Sequence, residues 1–208
     1  MASNEYHFIT RWCVHGTVEE VAGIINDAAG LTRWWPAVYL EVQEVQPGDE
    51  HGVGKVIRLH TKGWLPYTLR WSFRVIESRY PYGFTLQAWG DFDGRGIWTF
   101  AQDGPWVQIT YDWKIRADKP LLRYGSLVLK PIFAANHRWA MARGETSLKL
   151  ELERRRARTP EEQAQIPAPP PPTSPVPLLA GTAGAIALGG LGYLAGRWRQ
   201  RRRHGQGR

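Results

Sequence analysis

Cysteine is almost missing from this chain: Cys13 is the only one in 208 residues, so neither an intramolecular disulfide nor a metal site built from several thiolates is possible. Histidine offers no alternative, because the six His fall at positions 7, 15, 51, 60, 137 and 204, without the short spacing that brings ligands together on one element. No metal is expected. The first eight residues lack the basic start and apolar core of a signal peptide. Gly52-Val53-Gly54 has no helical pattern behind it, which excludes a dinucleotide-binding loop. No cofactor is expected, and no Ser, His and Asp arrangement suggests a nucleophile. A lone thiol and no leader suit a cytoplasmic domain.

Net charge is also scarce once its location is considered. The formal +8 owes most to Arg197, Arg199, Arg201, Arg202, Arg203 and Arg208, and without them 21 basic residues face 19 acidic ones. Most of the chain is therefore near neutral, and no nucleic-acid partner is expected.

Tryptophan, in contrast, is abundant and unevenly placed. Ten of 11 Trp lie between Trp12 and Trp139, whereas the stretch from Pro160 to Pro177 holds eight of 15 Pro and no aromatic residue. The core is thus confined to residues 1–158, followed by a proline-rich linker over 159–177. Eleven extended residues from Pro167 to Pro177 would make a spacer of roughly 34 Å, standing the domain off a surface.

Hydrophobic periodicity predicts the elements. A half-buried strand runs from Tyr6 to Val14, and Thr17 with Glu20 has the spacing of a capping box for a helix from Val18 to about Asp27. A second short helix or turn carries Trp34 and Trp35 and is limited by Pro36. Six strands follow, Tyr39 to Gln46, Lys55 to Thr61, Tyr67 to Ser78, Phe84 to Phe92, Arg95 to Gln102 and Trp106 to Arg116. Their breaks include Pro47-Gly48-Asp49, Pro81-Tyr82-Gly83, Asp93-Gly94 and Asp103-Gly104, the chemistry of hairpin turns. Short strands with short breaks make an antiparallel meander. Its inner face is aromatic: Leu69, Trp71, Phe73 and Val75 alternate with polar residues, as do Val107, Ile109, Tyr111, Trp113 and Ile115. Helical character returns after Asp118 and Pro120, with Pro131 expected to kink or restart the helix. Phe133, His137, Met141, Gly144 and Leu148 then form an apolar stripe that can be buried on the concave sheet.

Val176 to Gly196 is a run of 21 residues without a charge. As a helix it would be roughly 31 Å long, enough to cross a hydrocarbon core. The run predicts a separate C-terminal transmembrane helix, with residues 197–208 as its arginine-rich flank. Gly192 and Gly196 could serve homo-association, or they could simply reflect a segment rich in small residues. Arginine holds the tail on the cytoplasmic side, and the missing leader holds the domain there too. A single span cannot satisfy both; a shallow or re-entrant insertion escapes the conflict, as does a cytosolic domain whose short tail is forced across.

The order strand, two short helices, six-stranded meander and long helix, over roughly Tyr6 to Leu152, resembles the polyketide cyclase/dehydrase and lipid-transport family of the START-like, helix-grip superfamily. The likeness is carried by Trp34-Trp35-Pro36, Gly52-Val53-Gly54, the strand Gly96-Ile97-Trp98-Thr99-Phe100 and Gly144-Glu145 to Leu148. It implies an α+β helix-grip fold, a curved antiparallel sheet of about seven strands wrapped on a long C-terminal helix. It also implies a cavity between sheet and helix for an apolar small molecule such as a lipid, polyketide or quinone, with cyclase or dehydratase chemistry in some members. No catalytic residue carries over, so binding or transfer is the first expectation, an enzyme the second and a membrane-associated protein-interaction module the third.

Trp35, Trp71, Trp98, Tyr111, Trp113 and Phe133 are the candidate cavity lining, since flat side chains supply apolar area with few rotatable bonds. His137, on the apolar stripe, could hydrogen-bond a ligand oxygen or carry a proton near neutral pH.

Overall fold

The computed structural model describes residues 5–117 and 126–173. Alternation of apolar and polar residues produces seven strands: β1 Glu5–His15, β2 Tyr39–Gln46, β3 Val56–Lys62, β4 Thr68–Ser78, β5 Gly83–Gly90, β6 Phe92–Asp103 and β7 Trp106–Ala117. They form one antiparallel sheet in the order β1-β7-β6-β5-β4-β3-β2, so β2 to β7 are a meander and β1 returns to pair with β7. One face is buried. Trp12 and Val14 of β1, Trp98 and Phe100 of β6, and Ile109, Tyr111 and Trp113 of β7 all point into the core. Gly96, opposite Trp113, leaves room for these rings, since a Cβ there would lie 2.8 Å from Tyr111 Oη and 2.9 Å from Trp113 Cε3.

Two short helices fill the crossover from β1 to β2. Helix α1, Val18–Ile25, starts at the expected capping box: Thr17 Oγ1 accepts from Glu20 N at 3.3 Å and Glu20 Oε2 accepts from Thr17 N at 2.8 Å. Its buried residues include Val21, Ala22 and Ile24. A 3-10 turn at Ala28–Gly30 leads to α2, Leu31–Trp34, which stops just before Trp35 and Pro36.

Helix α3, Ser126–Arg156, lies against β1, α1 and α2 and covers the buried face. Its last turns are fastened by charge. The Glu151 carboxylate, 1% exposed, accepts from Arg33 at 2.7 Å, Arg155 at 2.9 Å and Arg154 at 3.3 Å. Burial pushes its pKa up, but the hydrogen bonds from Arg155 and Arg33 and the charge of Arg33 outweigh that, and the net shift is downward. Arg156 pairs with Glu20 at 2.7 Å. The long helix is thus locked to α1 and α2 at its C-terminal end.

Three expectations differ from what is observed. The turn between β5 and β6 lies at Gly90-Asp91, not Asp93-Gly94. Gly90 supplies the positive φ of +113°, and Gly94 stays within β6 opposite Ile115. Of the two outcomes expected at Pro131, a kink or a restart, the restart is excluded, since the helix is continuous from Ser126 to Arg156. The proline-rich stretch does not simply extend away: Thr159 caps a further helix, α4 Pro160–Gln165, and residues 167–173 return to the domain. The expected cap at Asp118 and Pro120, the uncharged run Val176 to Gly196 and the arginine tail fall outside the described residues. Among those described, no helix is long and apolar enough to cross a membrane.

Candidate functional site

The N-terminal half of α3 does not close completely on the sheet. A cavity of about 140 Å³ is left between them, walled by β1, β3, β4 and β7, the start of β2 and α3 residues 133–141. Trp71 and Trp113, at 5.8 Å between ring centroids, form its floor, and Tyr111 stacks beside Trp113 at 5.5 Å. Phe133 meets Tyr6 at 6.1 Å and Tyr67 at 6.4 Å, edge to face. Flat rings meeting at steep angles leave a shaped gap that aliphatic side chains would fill.

Polar groups on this wall are few. Trp71 Nε1 donates to Thr61 Oγ1 at 3.1 Å. Tyr6, Tyr39, Tyr67 and Tyr111 all have raised pKa values because burial disfavours the phenolate, that of Tyr67 pushed up to about 12 with Tyr6 adding to the shift. All four are therefore neutral phenols, able to donate. Tyr6 Oη and Trp35 Nε1 are buried and have no hydrogen-bond partner among the described residues. Trp34 Nε1 and Ser147 Oγ share that deficit, but neither residue lines the cavity. A buried donor without an acceptor costs about 1–3 kcal/mol.

His137 sits on the wall, stacked on Phe8 at 4.2 Å, with Nε2 3.3 Å from Thr10 Oγ1. Burial, with a smaller contribution from the charge of Arg138, lowers its pKa to about 4. It is neutral at pH 7. A hydrogen-bonding role is compatible with its position. The described wall residues include no carboxylate.

Of the seven residues singled out in the sequence, Trp35, Trp71, Tyr111, Trp113, Phe133 and His137 are brought together on this wall. Trp98 is not. It stands behind Tyr111, stacked at 4.1 Å, and fills the core with Trp12. The sequence did not single out Tyr6, Phe8, Tyr39, Thr61, Tyr67 and Asn136, which share the wall. Tyr6 and Phe8 belong to the strand alternation already recognised. Tyr67 stands two residues before Leu69 in the β4 alternation, whereas Asn136 carries no local signal, because it meets its partners only when the β3–β4 turn reaches α3. There Asn136 Oδ1 accepts from Trp64 N at 2.9 Å, and Gly63 lies so close that a Cβ on it would be 2.1 Å from the same oxygen.

No family model and no curated protein matches the chain. Solved structures do match in fold. The Zhui aromatase/cyclase of a Streptomyces strain superposes with a TM-score of 0.58 at 18% identity, covering 74% of this chain and 97% of that one. A protein of Thermus thermophilus gives 0.58 at 15%, covering 73% and 100%. A START superfamily protein of Mycobacterium smegmatis gives 0.55 at 14%, covering 71% and 97%. The fold is therefore the START-like helix-grip fold, as the order of elements predicted.

Proposed function

We propose that the chain binds or transfers an apolar, ring-bearing small molecule in the cavity under α3, and does so tethered to a membrane through Val176 to Gly196. The observation that carries this reading is the pairing of an aromatic wall with two buried donors, Tyr6 Oη and Trp35 Nε1, that lack acceptors among the described residues. A ligand would bury its rings against that wall, and one with an oxygen acceptor would relieve the deficit once either side chain turns its donor toward it. Size narrows the class. About 140 Å³ is close to the roughly 150 Å³ of an apolar cavity that takes up benzene and below the roughly 300 Å³ where drug-sized sites begin. One ring fits inside, and a longer ligand would project through the mouth. Molecules of this kind partition into lipid, which is the advantage of a tether and of a domain on the cytoplasmic side.

Native mass spectrometry of residues 1–173, before and after incubation with liposomes, tests the binding. The expected result is a bound apolar species retained through purification or acquired from the lipid; a ligand-free spectrum in both conditions would refute it.

A cyclase- or dehydratase-type reaction is the second reading, favoured by His137 beside Thr10 on the wall. A neutral imidazole within reach of a ligand can accept a proton, although a pKa lowered to about 4 makes it a weak base. His137→Phe separates the two readings: binding alone survives the change, whereas turnover of a bound substrate would not.

A further inference from the structure

We propose that residues 167–173 act as a strap that holds the mouth of the cavity against the bilayer surface, with Trp64, Leu65 and Ile132 as the face that meets lipid. This rests on the membrane-tethered reading above. Behind α4 the chain turns back over the domain and is fixed at two points. Arg154 Nη2 donates to Pro167 O at 3.0 Å. Six residues later Thr173 Oγ1 donates to Gly63 O at 2.9 Å and Lys62 Nζ donates to Thr173 O. Between these points stand Pro169 to Pro172, which have no backbone N–H and favour an extended chain. Six steps at about 3.1 Å make a strut of roughly 19 Å. Its far end reaches the cavity wall at Lys62 and Gly63, the edge we assign as the mouth.

Where the strap ends decides what the rim faces. Only Ser174 and Pro175 separate Thr173 from Val176, the first residue of the uncharged run. Three steps of at most about 3.6 Å cover roughly 11 Å. A membrane segment starting at Val176 therefore keeps the rim within about a headgroup layer of the lipid, whichever way the segment inserts.

The rim is built for that neighbour. Trp64 is 39% exposed and Ile132 37%, large apolar groups next in the chain to the wall residues Gly63 and Phe133. Trp64 and Leu65 are held to α3 by their backbone N–H groups, both bonded to Asn136 Oδ1, so the loop presents a fixed surface. Tryptophan suits the headgroup zone, and Lys130, 5.7 Å from the Tyr6 ring, stands one helical turn from Phe133 where anionic lipid would meet it. The opposite end of β4, at Arg79–Tyr82, lies eleven residues along the strand, roughly 36 Å away and beyond reach of the surface. A free spacer would let the domain tumble. A strut pinned at Gly63 gives it one orientation, mouth to lipid, so that a poorly soluble ligand passes without crossing water.

Full-length protein in vesicles of phosphatidylcholine and phosphatidylglycerol at 3:1 provides the test, with a nitroxide at Ile132→Cys or Tyr82→Cys in a Cys13→Ser background. Flotation establishes attachment first. The label at 132 is then expected to be reached by oxygen and shielded several-fold from a water-soluble nickel chelate relative to the label at 82. Replacing Pro169 to Pro172 with glycine and serine, together with Thr173→Val, should remove that contrast without changing flotation. Equal nickel access at the two labels in floating protein overturns the orientation and leaves the tether standing; a contrast that survives release of the strap overturns the strap's role. Protein that does not float refutes tether and orientation together. Floating protein with the expected contrast but no ligand by mass spectrometry refutes the ligand reading alone.

Discussion

Replacing Gly144 with alanine should loosen the fold and shrink the cavity, although alanine is the better helix former. In α3 a Cβ at position 144 would lie 2.3 Å from Trp35 Cζ2 and 2.6 Å from both Cε2 and Cη2. Ordinary contact needs about 3.4 Å or more, so the indole must retreat by roughly 1 Å. It is boxed in by Trp12 at 5.6 Å, Trp34 at 5.4 Å and Tyr39 at 5.2 Å, and the cavity is the open direction. Helix propensity favours the change by about 1 kcal/mol. Overpacking of a large, enclosed ring opposes it by about 1–3 kcal/mol. Gly23 in α1 is the control, because a Cβ there meets nothing within 4 Å and only the propensity gain applies. Gly23→Ala should therefore raise stability by about 0.5–1 kcal/mol, and Gly144→Ala should fall below it by about 1–3 kcal/mol. Thermal unfolding of residues 1–173 resolves this, since about 1 kcal/mol shifts the midpoint by roughly 2–4 °C at this size. Equal stabilisation by the two substitutions would refute the close contact between α3 and Trp35.

Glu151→Ala should cost about 2 kcal/mol in urea unfolding, less than the roughly 3–5 kcal/mol for breaking a fully buried pair, because Arg33 is half exposed and screened; a change within about 0.5 kcal/mol would mean that the carboxylate is effectively solvated. His137 has a folded pKa of about 4 against 6.5 when free, so the stability it contributes as a neutral group is complete above pH 6.5 and is lost as pH falls toward 4. Wild type should lose stability relative to His137→Phe across that window, and parallel curves would contradict the burial of the imidazole. Tyr6→Phe removes an unpartnered hydroxyl and should leave the ligand-free domain unchanged or stabilised by up to about 1 kcal/mol while weakening ligands that carry an acceptor oxygen; a destabilised ligand-free domain would reveal a partner for that hydroxyl.

Much of the fold was legible because its signals are local. The period of two in β4 and β7 named the buried face, and the Thr17/Glu20 spacing placed the start of α1 within the sequence itself. The turn at Gly90-Asp91 was missed because Asp93-Gly94 is the stronger dipeptide signal, and only pairing with β7 shows that Gly94 lies inside a strand. Five lining residues followed from the aromatic alternation and the α3 stripe, and Trp35 from the turn before Pro36, but alternation identifies a face and not a depth. Trp98 shares the face of Tyr111 and still lies behind the wall. Asn136 and the strap depend on contacts across 70 to 110 residues of chain, which composition cannot carry. Proline content predicted an extended segment; the bond from Thr173 to Gly63 decides where it goes.

Calorimetric titration of residues 1–173 with acetophenone, one ring with one acceptor oxygen, compared with the Ala140→Phe variant, addresses the cavity directly, since Ala140 lines it and a phenyl group there fills it. The expected outcome is saturable binding to wild type with a negative heat-capacity change, lost in the variant while thermal stability is kept. Binding of equal strength to both proteins, or no binding to a wild type that mass spectrometry shows to be ligand-free, would contradict a ligand site under α3.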